Sequence, residues 1–294
     1  MASSIAFIGA GRLGQTLALA LAQRGEPVLA IASRRLASAQ ALAAQIPGCQ
    51  AMSAEQAVAA ADLVFLSTPD DELAGLARDL PWRAGQAVLH CSGATELAVL
   101  SPALAAGAAV GGFHPLQIFS DPQQALGLLA GSTVAIESAD ATLQAELLRL
   151  AQLLDMRPLR LPPGARAAYH GAASFAASFL LSLLDEAAEV WARLGLPREQ
   201  ALPALLPLAQ GTLQAAQSRG LAGALSGPIS RGDRGVVAAH LQAFDALGES
   251  HGQFYRELAQ RQLVLAAQAG RLDAEALNAM DQLLGQGLTE RIKR

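Results

Sequence analysis

Hydrophobic residues in the first 160 positions of this chain fall in short continuous runs, separated by longer segments of helical character. A run without polar alternation is typical of a strand that is buried on both faces of a parallel sheet. The runs cover residues 5–8, 28–32, 63–67, 87–90, 108–112 and 132–136, and a last short strand is predicted over 157–161. The pattern therefore predicts one sheet with helices on both sides.

The pattern changes after Pro162-Pro163-Gly164, a sequence that interrupts regular structure. From residue 166 onward, apolar residues recur every three or four positions, which is the period of an amphipathic helix. The predicted helices cover residues 166–194, 198–218, 233–247, 248–269 and 273–287. We therefore predict an α/β domain with a mostly parallel sheet over residues 1–162, followed by an all-α domain over residues 163–294.

The first strand leads directly into a glycine loop, Gly9-Ala10-Gly11-Arg12-Leu13-Gly14, which precedes the first predicted helix. This G-x-G-x-x-G spacing between a strand and a helix is typical of a Rossmann domain that binds a dinucleotide. Gly9 permits the tight turn, Gly11 lets the backbone approach a pyrophosphate, and Gly14 lets the helix pack close to the sheet. We expect all six residues to bind the cofactor. For the glycines alone, an ordinary strand-to-helix turn is the alternative.

The second strand ends in Ser33, Arg34 and Arg35, without the acidic residue that usually holds the ribose of NAD. A hydroxyl and two guanidinium groups suit a 2′-phosphate, because arginine can bind phosphate through two parallel hydrogen bonds. The sequence thus favours NADP over NAD. A solvated surface pair is the alternative for Arg34 and Arg35.

Charge and cysteine content argue against several other classes of protein. The chain carries 21 Lys and Arg residues and 25 Asp and Glu residues, and its net charge of −4 gives no reason to expect nucleic acid or a membrane surface as a partner. Cys49 and Cys91 form no CxxC pair, so a reduced, cytoplasmic protein is expected. The first strand begins close to Met1 and leaves no room for a signal peptide. The apolar stretch 171–184 is shorter than a membrane span, and we expect a buried core or interface helix there.

Residues that follow the strands are candidate site residues, because ligands of an open parallel sheet bind outside the carboxyl ends of its strands. Ser67-Thr68-Pro69 follows one strand, and Ser92 and Gly93 follow another. We predict that Ser67, Thr68, Pro69 and Ser92 contact the cofactor, and that Ser92 and Gly93 contact the substrate. The alternative in both places is an ordinary turn, with Asp70 capping the next helix.

His114 follows a third strand, and Pro115 keeps its backbone extended. A histidine beside a cleft can polarise a carbonyl group or donate a proton near neutral pH. The alternative is a histidine that is hydrogen-bonded within its own loop. His90 lies at the end of a predicted buried strand and is expected to be structural.

In the helical half, His170, Ser174 and Ser178 are spaced to share one face of an otherwise apolar helix. Polar groups on such a face need partners, which a substrate pocket or a neighbouring helix would supply. We predict Ser174 and Arg231 as substrate-binding residues, since Arg231 can bind a carboxylate. The alternative for Arg231 is an ion pair with Asp233. No metal site is predicted, because the sequence has no H-x-x-x-H spacing and no Cys/His cluster.

These motifs resemble a family of Rossmann-like oxidoreductases with a C-terminal helical domain of formerly unknown function. The family is related to ketopantoate reductases, pyrroline-5-carboxylate reductases and 3-hydroxyacid dehydrogenases. The resemblance covers nearly the whole chain and rests on residues 9–14, 90–94, 113–116, 169–179 and 227–233. It implies an NADP-binding domain, a helical domain that commonly builds a homodimer, and a cleft in which a small carbonyl or imine is reduced.

Ser178 departs from this family, whose members often carry Asn at the matching position, and the helix lacks the Lys of ketopantoate reductases. The proton donor therefore does not follow from the resemblance. We predict His170 as proton donor or carbonyl polariser, with His114 as the alternative and Ser178 as a further catalytic candidate. The expected function is the NADP-dependent reduction of a small 2-oxo acid such as ketopantoate. An imine reductase of the pyrroline-5-carboxylate type and a non-catalytic NADP sensor are the alternatives.

Overall fold

The computed structural model of the protein describes residues 3–285. The chain forms two compact units, one up to Phe179 and one from Leu180. Within the described residues, the strands are β1 (Ile5–Ile8), β2 (Val28–Ala32), β3 (Gln50–Ala51), β4 (Leu63–Leu66), β5 (Ala87–His90), β6 (Ala109–Leu116), β7 (Thr133–Ser138) and β8 (Arg157–Arg160). The helices up to residue 176 are α1 (Arg12–Gln23), α2 (Leu36–Ala43), α3 (Ala54–Ala60), α4 (Asp70–Asp79), α5 (Ser101–Ala105), α6 (Pro122–Leu129), α7 (Ala141–Leu153) and α8 (Arg166–Ala176).

The strands form one sheet in the order β3-β2-β1-β4-β5-β6-β7-β8. All neighbouring strands are parallel except β6 and β7, which are antiparallel. The prediction of a mostly parallel sheet is confirmed. The chain order reverses between β1 and β4, and such a switch point opens a crevice at the carboxyl ends of the strands.

Both faces of the central strands β1 and β4 are buried, which explains why these strands are continuous apolar runs. On one face, the ring of Phe65 stacks on Phe7 with centroids 4.7 Å apart and meets Phe113 edge-on at 5.9 Å. On the other face, Val64 and Leu66 pack into a second core cluster. The alternation of side chains along β4 thus fills two cores, and the helices cover both.

Strand β6 is longer than the predicted run of residues 108–112. It continues to Leu116 because the antiparallel β7 pairs with the extension, His114 opposite Ala135 and Pro115 opposite Val134. Pairing with β5 ends at Gly112. His114 therefore lies within a strand, yet beyond the carboxyl end of the neighbouring β5.

The remaining helices are α9 (Ser178–Arg193), α10 (Arg198–Ala224), α11 (Arg234–Leu247), α12 (Glu249–Gln268) and α13 (Ala274–Leu283). The core of the second unit contains Val237, Leu241, Leu263 and Met280. Among the described residues after 160 no strand occurs, and the prediction of a helical C-terminal region is confirmed.

The helix predicted over residues 166–194 is interrupted at Ala177, whose φ of −116° and ψ of −91° are not helical. Ser178 begins the next helix, so the common face inferred for His170, Ser174 and Ser178 does not extend to Ser178. The compact first unit continues to Phe179, beyond the turn at residues 162–164. The domain boundary between residues 162 and 163 stays a prediction.

The apolar stretch 171–184 is not part of a core within the described chain. Phe175 and Leu181 are 72% and 68% exposed, so the expectation of a buried core helix is wrong. The alternative, an interface helix, stays a prediction. The segment Arg166–Arg193 is also long and apolar enough to cross a membrane, by length and composition alone. Helices of water-soluble proteins pass the same test, so this is weak evidence.

Candidate active site

The glycine loop after β1 packs against the end of β4. The amide of Gly9 donates to the carbonyl of Ala32 at 2.8 Å, and Ser67 Oγ donates to the carbonyl of Gly9 at 2.8 Å. Gly9 has φ of +118°, and a Cβ at this position would lie 2.5 Å from the carbonyl oxygen of Ser67. A side chain at residue 9 is therefore excluded both by the backbone conformation and by the adjacent strand.

The first turn of α1 has the properties of an anion site. Gly11 is the N-cap residue, and no side chain caps the helix there. A Cβ at Gly14 would collide with the carbonyl oxygen of Gly9 and lie 2.5 Å from Ser67 Oγ. The helix thus approaches the loop closely. Its first N–H groups can donate hydrogen bonds to a phosphate.

A cavity of about 710 Å³ opens at the carboxyl ends of β1, β2 and β4. It is lined by most of the predicted cofactor residues: Gly9, Ala10, Gly11, Ser33, Arg34, Arg35, Ser67, Thr68 and Pro69. Arg12, Leu13, Gly14 and Ser92 are not among its lining residues. The lining also includes Ser38, Ser53, Glu55 and Glu72, which sequence reasoning missed because they come from neighbouring helices and loops.

One of these additional residues contacts the predicted phosphate-binding pair. Glu72 Oε1 accepts a hydrogen bond from Arg34 Nη1 at 2.8 Å, across 38 positions of sequence. Both side chains line the cavity, and Arg34 is largely exposed. The end of β2 carries no acid of its own, but α4 supplies one.

Two histidines and a tyrosine meet around Gly93, beyond the carboxyl end of β5 and beside the last residues of β6. His114 comes from β6, and Tyr169 and His170 come from α8. The ring centroids of His114 and His170 are 5.5 Å apart, and His114 Nδ1 lies 3.3 Å from the Tyr169 hydroxyl. A Cβ at Gly93 would lie 2.8 Å from His114 Nε2 and would collide with His170 Nδ1. The predicted residues Gly93, His114 and His170 are therefore neighbours.

The loop that carries Gly93 is held by hydrogen bonds to Asp70. Ser92 Oγ donates to Asp70 Oδ2 at 2.7 Å and accepts from the amides of Ala94 and Thr95. Thr95 Oγ1 donates to the same carboxylate oxygen at 3.1 Å. The alternative role of Asp70 as a cap of α4 is wrong, because Pro69 is the N-cap residue and α4 has no side-chain cap. Asp70 instead fixes the loop, and Ser92 is engaged in that role.

Arg166, the first residue of α8, is fully buried beneath this loop. Its Nε donates to Glu137 Oε2 at 2.8 Å and its Nη1 to the carbonyl of Ser92 at 2.9 Å. A Cβ at Gly112 would collide with Arg166 Nη2, so strand β6 leaves space for the guanidinium at this position. Arg166 thereby connects α8 to the Ser92–Gly93 loop. Sequence reasoning missed it, because no local pattern distinguishes a buried Arg from an exposed one.

Burial and charge set the protonation of the buried histidines. Desolvation, followed by the charges of His170 and Arg166, lowers the pKa of His114 to about 4. Desolvation also lowers the pKa of His90 to about 3, in line with its expected structural position. Burial raises the pKa of Tyr169 above its ordinary value of 10. At neutral pH, His114 is therefore a neutral imidazole beside a protonated phenol.

The lowered pKa of His114 makes a testable contribution to stability. The unfolded chain binds a proton there below pH 6.5, whereas the folded chain binds it only below about pH 4. Stability from this group is present above pH 6.5 and is lost as the pH falls toward 4. Between pH 7 and pH 4.5, we expect wild type to lose about 2 kcal/mol more unfolding free energy than His114→Gln, by urea denaturation. Parallel losses in the two proteins would contradict this prediction.

The other predicted site residues lie elsewhere on their elements. Ser174 is one turn after His170 on α8, and Ser178 is exposed at the start of α9. Arg231 belongs to the second unit, where it ends the short 3₁₀ turn Ile229–Arg231. Asp233 caps α11 by accepting from the amide of Val236, and within the described residues no ion pair joins it to Arg231. The substrate role of Arg231 stays a prediction.

Comparison with known families agrees with this architecture. The model of a Rossmann-like domain matches residues 2–115, and that of a domain of unknown function, DUF2520, matches residues 132–262. The two matches follow one another along the chain and together cover most of it. The DUF2520 match spans β7, β8 and helices α7 to α11, and it includes Arg166, Tyr169 and His170. No curated protein matches the chain.

Solved structures share the fold over most of the chain. A Bacteroides fragilis protein described as a proposed NADP oxidoreductase is 26% identical, with a TM-score of 0.67 over 89% of this chain and 98% of that one. A Thermotoga maritima protein is 21% identical and has a TM-score of 0.73, with 90% of this chain and 98% of that one covered. A reductive aminase from Aspergillus terreus, solved with NADPH and ethyl-5-oxohexanoate, is 16% identical. Its TM-score is 0.60, with 99% of this chain and 95% of that one covered. The chain thus shares its fold, over most of its length, with these three proteins.

Proposed function

We propose that the protein is a cytoplasmic, NADP-dependent oxidoreductase that reduces a small carbonyl compound, and that a 2-oxo acid such as ketopantoate is its substrate. The proposal rests on the position of a large cavity and of the histidine cluster at the same edge of the sheet. The large cavity lies at the ends of β1, β2 and β4, and the histidine cluster lies at the ends of β5 and β6. A cofactor and a reactive carbonyl would meet at such an edge.

The residues around the cavity fit NADP. Gly9 and Gly14 let the loop, β4 and α1 pack more closely than a Cβ would allow, and the uncapped start of α1 presents N–H groups to a pyrophosphate. Arg34 and Arg35, together with Ser33, would bind a 2′-phosphate. When bound, NADPH supplies a hydride for the reduction of a carbonyl carbon.

The histidine cluster would supply the proton that completes the reduction to an alcohol. In the tautomer whose Nδ1 accepts from the Tyr169 hydroxyl, the Nε2–H group of the neutral His114 would hydrogen-bond a carbonyl oxygen. His170 is exposed and can exchange protons with solvent, and we propose it as the donor to that oxygen. The absence of a side chain at Gly93 lets both imidazole rings lie close to the loop.

A titration followed by a turnover assay tests this function. We expect NADPH to bind more tightly than NADH, measured by nucleotide fluorescence, and expect absorbance at the NADPH band to fall when ketopantoate or a related 2-oxo acid is added. Failure of both nucleotides to bind would contradict the proposal. Tight NADPH binding without turnover of any 2-oxo acid would favour an imine substrate or a sensor, and the likeness to a reductive aminase makes cyclic imines the next compounds to test.

We further propose that a second copy of the chain covers the exposed apolar residues of α8 and α9. Phe175, Phe179 and Leu181 are large, exposed side chains close together in sequence, and surfaces of this kind mark interfaces. Light scattering should give a dimer for wild type, and Leu181→Glu should shift it toward monomer. Leu128→Glu, at an exposed leucine of α6, should leave the dimer intact. A monomeric wild type would contradict the proposal.

A further inference from the structure

The contact between Arg34 and Glu72 bears on the choice between NADPH and NADH. Arg34 is the second residue after β2 and is predicted to bind the 2′-phosphate. Its guanidinium hydrogen-bonds to Glu72 at 2.8 Å, and both residues line the cavity. Glu72 is in the first turn of α4, so its backbone is fixed independently of the loop after β2.

We propose that Glu72 is a specificity-determining residue that limits the preference for NADPH over NADH. The inference rests on the proposed function, since it requires that a nicotinamide nucleotide occupies this cavity. A carboxylate that pairs with Arg34 competes with the 2′-phosphate for the same guanidinium. The same carboxylate can accept a hydrogen bond from the ribose hydroxyl of NADH, which is the role of the acidic residue at the end of β2 in NAD-binding domains.

The exposure of the Arg34–Glu72 pair sets the size of the effect, because an exposed ion pair is weak. Releasing Arg34 from Glu72, so that it can bind a 2′-phosphate, therefore costs only a few-fold in NADPH affinity. Salt weakens the pair further, because the Debye length at physiological ionic strength is about 8 Å. A change of about fivefold in relative affinity is therefore expected when Glu72 loses its charge.

Glu55 is the matched control, because it lines the same cavity without pairing to Arg34. Hydrogen bonds from its own backbone amide and from Ser53 lower the pKa of its carboxyl group. That carboxylate is engaged at the start of α3. Its removal changes the net charge by the same amount as removal of Glu72, so the pair separates a specific contact from a general charge effect.

The test is a double-mutant cycle on the full-length chain, with dissociation constants of NADPH and NADH measured by fluorescence titration at two salt concentrations. Glu72→Gln should raise the ratio of the NADH to the NADPH constant about fivefold at low salt and less at high salt. Glu55→Gln should change it less than about twofold. In an Arg34→Ala background, Glu72→Gln should change the ratio much less, because the two residues are coupled.

The outcomes are distinguishable. An unchanged ratio in Glu72→Gln, or an equal change in both backgrounds, would overturn the inference while leaving nucleotide binding intact. An equal effect of Glu55→Gln would also overturn the inference, because the change in net charge alone would then explain the effect of Glu72→Gln. If wild type binds neither nucleotide, the proposed function fails, and the inference fails with it.

Discussion

Replacement of His170 by alanine is expected to lower kcat for the reduced 2-oxo acid by about 10²–10⁴-fold, the range of a lost general acid. The reason lies in the difference between the two neighbouring histidines. Burial holds the pKa of His114 at about 4, so at neutral pH this ring can donate a hydrogen bond but does not cycle a proton. His170 is exposed on α8, with its ring 5.5 Å from His114, and can take a proton from solvent.

Three further variants separate a proton donor from a structural role. His114→Gln keeps a hydrogen-bond donor and should cost less in kcat than His170→Ala. His240→Ala removes a histidine that pairs with Tyr255 at 2.9 Å in the second unit and should leave kcat within about twofold. Nucleotide affinity should be unchanged in His170→Ala, because His170 does not line the large cavity. Full activity of His170→Ala, or a larger loss in His114→Gln, would reverse the assignment.

Most of the residues predicted to bind the nucleotide line one cavity, and they could be grouped from the sequence because their signals are local. The G-x-G-x-x-G loop lies in adjacent positions between one strand and one helix, and its geometry follows from that order. Glu72 could not be predicted from local signals of this kind. It is 38 residues from Arg34, and only the fold places the start of α4 and the loop after β2 at the same cavity. Long-range contacts of this kind leave no periodic pattern in the sequence.

The two histidines proposed for catalysis show a second limit of prediction from the sequence. His114 and His170 were each singled out from local context, but nothing in the sequence paired them with one another. Their proximity depends on Arg166, which is buried and ties the start of α8 to the carbonyl of Ser92. The break at Ala177 was missed because alanine is the strongest helix former, and tertiary context overrides such propensities. That break removed Ser178 from the predicted face.

Two helical glycines should respond in opposite directions to the same substitution. Gly75→Ala in α4 should raise the free energy of unfolding by about 0.5–1 kcal/mol, because alanine is the better helix former and the nearest atom to a new Cβ, Arg78 Nη2, is 4.0 Å away. Gly14→Ala in α1 should lower it by about 1–3 kcal/mol despite the same gain in propensity. Its Cβ would collide with the Gly9 carbonyl, a backbone atom that cannot rotate away.

The Gly14 substitution should also impair the cofactor site, since relief of the collision requires α1 to move away from the glycine loop. A displacement of about 1 Å costs roughly 10²-fold in catalytic efficiency, so kcat/KM for NADPH should fall by at least that factor in Gly14→Ala and stay unchanged in Gly75→Ala. Urea denaturation and initial-rate kinetics on both variants measure the two effects. If Gly14→Ala proved as stable and as active as wild type, the close approach of α1 to the loop would be wrong. The cavity could then no longer be assigned to a pyrophosphate held by the helix N-terminus.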